Sequence, residues 1–394
     1  MKISGEVFLF RDPTKSICYL SSLMQLNLVV FLTRGMSLHT WDALGIFDRE
    51  VALYLALRDH GVHVSLLSCG GVEDLAFEPR MPGIRILCNR WNIPVDWYAR
   101  CIPVLHARAL LQADIIKTNQ MKGSELALVS ACFWRRPLLA RCGYLWSDLA
   151  AHGGSGKAEE AAFAGRLEAK VFGAAKQAVV TTPPMKEYVI DHYRLNPATV
   201  TVIPNYVVPE YFRETNGIRS PDVVIFVGRL SSEKNPLALV RACEGLPCKL
   251  IMAGEGPLHD DLVALGRHLR VDLVMAGTIP HAQLPELYRT AGLFVLPSPH
   301  EGHPKTLIEA MACGTPVIGA NTPGIREVIL HGETGWLCET DPESIRAAIQ
   351  HLMANPDLRA TLGANARKFA VENYSLDKIV EMELEVYRKI RGRG

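Results

Sequence analysis

The sequence predicts an α/β protein of two doubly wound parallel-sheet domains, and three observations carry that prediction. The chain is 394 residues long, which favours two domains of roughly 150–200 residues each over one. From residue 27 onward, short β-rich apolar runs alternate with helix-length amphipathic stretches, the pattern of a parallel sheet covered by helices on both faces. A polar stretch at 206–221 carries two prolines and a glycine, and the same alternation restarts beyond it, so this is the linker.

Taken in order, residues 1–25 read as an irregular leader. The apolar run at 17–32, "ICYLSSLMQLNLVVFL", is 16 residues long and contains Gln25 and Asn27. A membrane span needs roughly 20 predominantly apolar residues, so this is a leader running into a first core strand. The first domain, 26–205, has strand candidates at 26–33, 62–68, 84–88, 114–118, 137–142, 177–182 and 200–205. Between the first two lies a helix whose Val51, Tyr54, Leu55 and Leu57 form a stripe, with Gly61 as its stop. The second domain, 222–375, has strand candidates at 222–228, 248–254, 272–277, 293–298 and 315–320, each followed by a helical pattern. Residues 376–394 add one more amphipathic helix, with Ile379, Met382, Leu384 and Val386 on its buried side.

A net charge of +1 gives no bulk attraction to nucleic acid, so any basic site is local. Ten cysteines stand without a C-x-x-C pair or a Cys/His set at ligand spacing, which reads as reduced thiols in a cytoplasmic protein. Peripheral contact with the inner face of a membrane stays open, although no strongly basic amphipathic segment demands it.

Several motifs fail. "AHGGSGKA" at 151–158 has alanine where a P-loop needs its first glycine and its final Ser or Thr. "HEGHP" falls one residue short of the zinc motif H-E-x-x-H, because Pro304 holds the last position. No G-x-G-x-x-G follows the first strand, and no D-x-D offers a seat for a divalent metal on a diphosphate. The sequence therefore implies neither a metal nor a dinucleotide cofactor.

Three turns survive, all after strands of the second domain, where open parallel sheets bind ligands. In "GRLSSEKNP", Gly228 permits a sharp turn, and Arg229 with Lys234 supplies two cations suited to a diphosphate. In "AGEGPLHDDL", Gly254 and Gly256 flank Glu255, either for close approach of a ligand or as a plain turn. In "HEGHPKTLIEAMACGTPVIG", Glu301 sits in a loop and Glu309 just over one turn into a helix that starts near Lys305. Free N–H groups at that helix start favour an anion, while carboxylates accept from hydroxyls. A ligand with a diphosphate between two hydroxyl-rich sugars uses all of these, and that ligand is a nucleotide sugar.

These stretches, with "LYRTAGLFVLPS" and "NTPGIREVILHGETGWL", resemble the C-terminal half of the GT-B-fold retaining glycosyltransferases of family four, from about 200 to 390. The resemblance implies two Rossmann-like domains facing across a cleft and a C-terminal helix crossing back to the first. It implies that Arg229 and Lys234 bind the donor diphosphate, that Glu301 holds donor-sugar hydroxyls, and that Glu309 holds the ribose. Backbone groups near Gly302, His303 and Lys305 would contact sugar and phosphates, with Gly228 and Glu255 completing the donor side. Pro304 removes one N–H that members with glycine there possess. In the first domain the resemblance is weaker: Gly35 stands alone where members have a glycine-rich turn. His39, Arg141 and Tyr144 are the candidates for lining the cleft, beside Trp146. The implied activity is transfer of a sugar with retention of configuration onto a glycan, a lipid-linked sugar or a small molecule, in polysaccharide or glycoconjugate synthesis. A sugar-nucleotide epimerase and a non-catalytic binding subunit are the alternatives on the same fold.

Overall fold

A computed structural model describes residues 26–152, 158–213 and 219–392. The leader, most of the P-loop-like stretch and part of the linker lie outside the described residues. Strands β1 (Leu26–Phe31), β2 (Val62–Leu67), β3 (Arg85–Leu87), β4 (Ile115–Thr118), β5 (Leu138–Cys142), β6 (Gln177–Val180) and β7 (Val200–Val202) form a first sheet in the order β3-β2-β1-β4-β5-β6-β7. Strands β8 (Ser220–Val227), β9 (Lys249–Ala253), β10 (Asp272–Gly277), β11 (Ala291–Leu296), β12 (Val317–Ala320) and β13 (Trp336–Cys338) form a second, β10-β9-β8-β11-β12-β13. Every pairing is parallel. In both sheets the order reverses beside the first strand, which opens a crevice at the carboxyl edge.

Parallel strands buried on both faces should be largely apolar, and β4, β5, β6, β11 and β12 are buried at every position, with Lys117 and Thr118 in β4, Arg141 in β5 and Gln177 in β6 as the polar exceptions. Strand β13 was not predicted, because its three residues stand alone between Gly335 and Glu339 with no longer apolar run around them. Two predicted helix faces shift. On the helix Phe47–Asp59, Leu53 is buried and Leu55 only half-buried. On the helix Leu376–Ile390, Met382 is half-buried and Glu383 lies fully inside.

Glu383 explains its own burial. Its Oε1 accepts from Lys117 Nζ at 2.7 Å, and both side chains are wholly excluded from water. The same helix places Ile379, Val380, Leu384 and Tyr387 in the first domain's core, so the chain's last helix crosses back to the domain it began in. Where the chain crosses twice, Val207 exchanges backbone hydrogen bonds with Tyr374 and Leu376.

Candidate functional site

The site is built at the carboxyl edge of the second sheet. After β8 the chain makes a short 3-10 turn, Ser232–Lys234, which Asn235 ends in the left-handed region at φ +53°. The Asn235 amide donates to the carbonyls of Pro297 and Thr340, at 3.2 and 2.8 Å. That anchoring holds Lys234 against the loop after β11, where Lys234 Nζ lies 2.5 Å from Glu301 Oε1. Lysine carries three donors and a carboxylate about four acceptor positions, so each partner keeps capacity for a ligand. Arg229 stands at the rim with its side chain 70% exposed, 3.4 Å from Glu233.

The helix following Glu301 runs Lys305–Ala312 and begins on Pro304, with no side-chain cap. Its first N–H groups carry the positive end of the helix dipole and have no capping partner. Ser231 and Ser298 lie at the same edge, both buried, with hydroxyls that find no partner among the described residues. Buried hydroxyls are rarely left so, and these fit further hydrogen bonds to a polar ligand.

The glycines serve purposes other than those expected. Gly228 is not in the left-handed region; a Cβ there would press on the Phe226 ring at 3.3 Å. A Cβ at Gly254 or Gly256 would collide with the backbone of Gly228 or Leu230. Close approach is real, but the neighbour is the first loop. Glu255 holds that loop through its main-chain carbonyl, which accepts from Leu230, while its side chain is exposed. At Gly302 a Cβ would collide with the Gly143 carbonyl and crowd Tyr144, so the loop holding Glu301 packs directly on the first domain.

Three of the candidate residues have side chains engaged within the protein. The His303 imidazole does not face the cleft. It is buried, Nδ1 accepts from the Asn205 N–H at 3.3 Å, and the ring stands edge-on to Tyr374 at 5.0 Å. Burial, with Arg141 nearby, pushes it down to about 3, so the ring is neutral and pins the linker. The Lys305 ammonium pairs with Glu50 on the helix Phe47–Asp59 of the first domain. Burial alone would raise the Glu50 carboxyl, but Lys305 and Arg49 outweigh it and hold it at about 2. Glu309 is fully buried: Oε1 accepts from His281 Nε2 at 2.9 Å and lies 3.7 Å from Arg49, and Oε2 accepts from the Tyr288 hydroxyl at 3.2 Å. It braces helix, edge and neighbouring domain.

On the first domain, Tyr144 is half-buried beside Gly302, with Arg229 close enough to oppose the rise that burial imposes on its hydroxyl. Arg141 is buried at the junction, where Nη2 donates to Asn205 at 3.1 Å and Nη1 lies 3.9 Å from Glu383. Gly35 takes φ +83° in the exposed turn after β1. His39 is exposed and gives its backbone N–H to Asp74, on the segment after β2. Sequence reasoning missed Arg49, Glu50, His281 and Asp148, the last pairing with His300 at 2.9 Å. The one available signal was the Arg-Glu pair at the start of a helix read only for its apolar stripe.

Two parallel-sheet domains with this strand order and a last helix that crosses back to the first have the GT-B architecture. Residues 50–211 match Glycosyltransferase Family 4 and residues 208–369 match Glycosyl transferases group 1. The chain belongs to the GT-B group 1 glycosyltransferases and is an enzyme of that kind. It is 28% identical over 385 residues to a D-inositol 3-phosphate glycosyltransferase of Acidothermus cellulolyticus, covering 88% of this chain and 85% of that one. It is 33% identical to an uncharacterized glycosyltransferase of Methanocaldococcus jannaschii over 185 residues, 45% of this chain and 47% of that one. That match spans about half the length of the relative. Among solved structures, Anabaena HepE in complex with UDP and glucose superposes with a TM-score of 0.75 at 17% identity, covering 92% of this chain and 99% of HepE. No helix among the described residues is long and apolar enough to cross a membrane.

Proposed function

We propose that this enzyme transfers a sugar from a nucleoside diphosphate sugar to an acceptor hydroxyl with retention of configuration, in cytoplasmic synthesis of a polysaccharide or glycoconjugate. The observation that carries the proposal is the 2.5 Å Lys234–Glu301 pair beside the uncapped start of the helix Lys305–Ala312. Lys234, with Arg229 and the helix N–H groups, stabilises the charge that builds on the departing diphosphate. Glu301 accepts from a sugar hydroxyl and fixes the ring over that leaving group. The acceptor attacks on the face the diphosphate vacates, and a departing phosphate oxygen takes its proton. Glu301 thus orients the donor, and proton transfer belongs to the substrate. Fixed cations fill the part a divalent ion would play, so the reaction as proposed needs no metal. The UDP and glucose seen with HepE support a uridine donor, and the inositol phosphate acceptor in the relative's name supports a small or phosphorylated acceptor as readily as a glycan. Nine described cysteines, all free thiols, support the cytoplasmic setting.

The test is release of nucleoside diphosphate from a panel of nucleotide sugars, with a chelator present, with and without candidate acceptors. Release that requires acceptor, with the anomeric configuration of the donor kept in the product by NMR, is expected. Epimerised donor without acceptor overturns transfer. Binding without consumption across donors and acceptors makes the chain a binding subunit.

A further inference from the structure

Fifteen large hydrophobic side chains are markedly exposed among the described residues, and seven of them fall between Trp91 and Phe133 of the first domain. That clustering distinguishes a patch from ordinary scatter. On the helix Val95–Leu105 and the short helix Ala107–Gln112 after it, the exposed positions Trp97, Arg100, Val104, Arg108 and Leu111 recur at spacings of three and four. Trp97, Val104 and Leu111 are 61%, 68% and 48% exposed. The neighbouring helix Ser124–Trp134 adds Val129 and Phe133 one turn apart, at 55% and 59%, with Arg135 just beyond. The two faces are continuous, because Arg100 and Val129 line opposite sides of one cavity of about 380 Å³. That cavity ends on Arg34, in the turn after β1 at the carboxyl edge of the first sheet.

Charge selects the partner. No Asp or Glu occurs from 97 to 113 or from 126 to 147. Of the acids that flank these runs, Asp96 and Glu125 are both held by Arg34, at 3.0 and 3.1 Å, Asp114 lies 4.0 Å from Arg391, and Asp148 pairs with His300 at 2.9 Å. A second copy meeting this patch about a twofold axis would bring together two surfaces on which Arg100, Arg108 and Arg135 outnumber the exposed Asp96. An anionic bilayer meets both demands of the surface: headgroups take the arginines, and the interfacial zone takes tryptophan, phenylalanine and aliphatic side chains. The patch lies on three helices, so no single basic amphipathic segment announces it in the sequence.

We propose that the outer face of the helices Val95–Leu105 and Ser124–Trp134 docks the enzyme on an anionic membrane surface, with the cavity between them opening toward the acceptor side of the cleft. The proposal goes beyond sugar transfer, and its readout is binding rather than turnover, so either can fail without the other.

The full chain is sedimented with vesicles of phosphatidylcholine alone and of phosphatidylcholine with one-third phosphatidylglycerol, at low and high salt. Binding roughly tenfold tighter to the anionic vesicles, weakening with salt, is expected. The double variant Trp97→Glu, Phe133→Glu should lose binding. Arg100→Ala with Arg108→Ala should lose the preference for anionic lipid while melting at the parent temperature, and it carries the test if the first variant folds poorly. Equal binding to both vesicles, binding to neither, or unchanged binding by both variants overturns the proposal. So does a concentration-dependent dimer in sedimentation velocity that Trp97→Glu dissolves, which would assign the face to a second copy.

Discussion

Two charged assemblies flank the helix Lys305–Ala312, and they differ in access to water. Lys234 and Glu301 meet at 2.5 Å in a loop–loop contact, with side chains 26% and 9% exposed. Glu309, one turn into the helix, is 1% exposed and shares its carboxylate among His281, Tyr288 and Arg49. The residue types are similar and both acids belong to one motif, yet a pair that water reaches can exchange its partner for a ligand. A buried carboxylate cannot do so without stranding Arg49, which is itself mostly enclosed. Shared spacing in sequence therefore does not imply a shared duty.

The sharpest break of that comparison is Lys234→Ala. Losing the cation nearest the leaving group should lower kcat by about 10²–10³-fold, the cost of removing one preorganised donor. Stability to urea should change by no more than about 1 kcal/mol, because the pair is partly solvated. Turnover within a few-fold of the parent would remove Lys234 from the reaction.

Glu309→Gln should do the reverse. Arg49 would lose its buried carboxylate partner, and breaking such a network by one member costs about 3–5 kcal/mol. Urea unfolding should show that loss, while the KM for donor in the folded protein stays near the parent value. A large rise in KM at unchanged stability would instead make Glu309 a ribose ligand, as the family resemblance implies.

The fold was legible because buried parallel strands must be largely apolar and the helices between them need a stripe; β13 was missed because its three residues stand alone between Gly335 and Glu339, whereas β3 and β7, equally short, lie in longer apolar runs. The second-domain loops were legible because Arg229, Lys234 and Glu301 are polar residues at strand ends, where a core has no use for them. What failed to show were interactions between domains. Nothing near Lys305 in the chain indicates Glu50, 255 residues away, and nothing near His303 indicates Asn205. At Gly302 the neighbour that requires the missing Cβ is likewise on the other domain, the Gly143 carbonyl. Sequence reports what a residue can do, and the partner that decides which of those it does comes from another domain.

The smallest expected effect concerns a third contact across the domains, His300 with Asp148. The hydrogen bond to Asp148 is the largest influence on the imidazole and raises it above its ordinary 6.5; burial and Lys234 act the other way, and Glu301 adds to the rise. A group raised in the folded state stabilises fully below its unfolded value and ceases to do so as pH rises through the folded one. Asp148→Asn should therefore be less stable than the parent at pH 6 and equal to it near pH 9. With the two side chains 31% and 33% exposed, solvent screening limits the difference at pH 6 to about 1 kcal/mol or less. Urea unfolding of both proteins at the two pH values measures it. A gap of the same size at both would mean that Asp148 stabilises the junction without any help from a protonated His300.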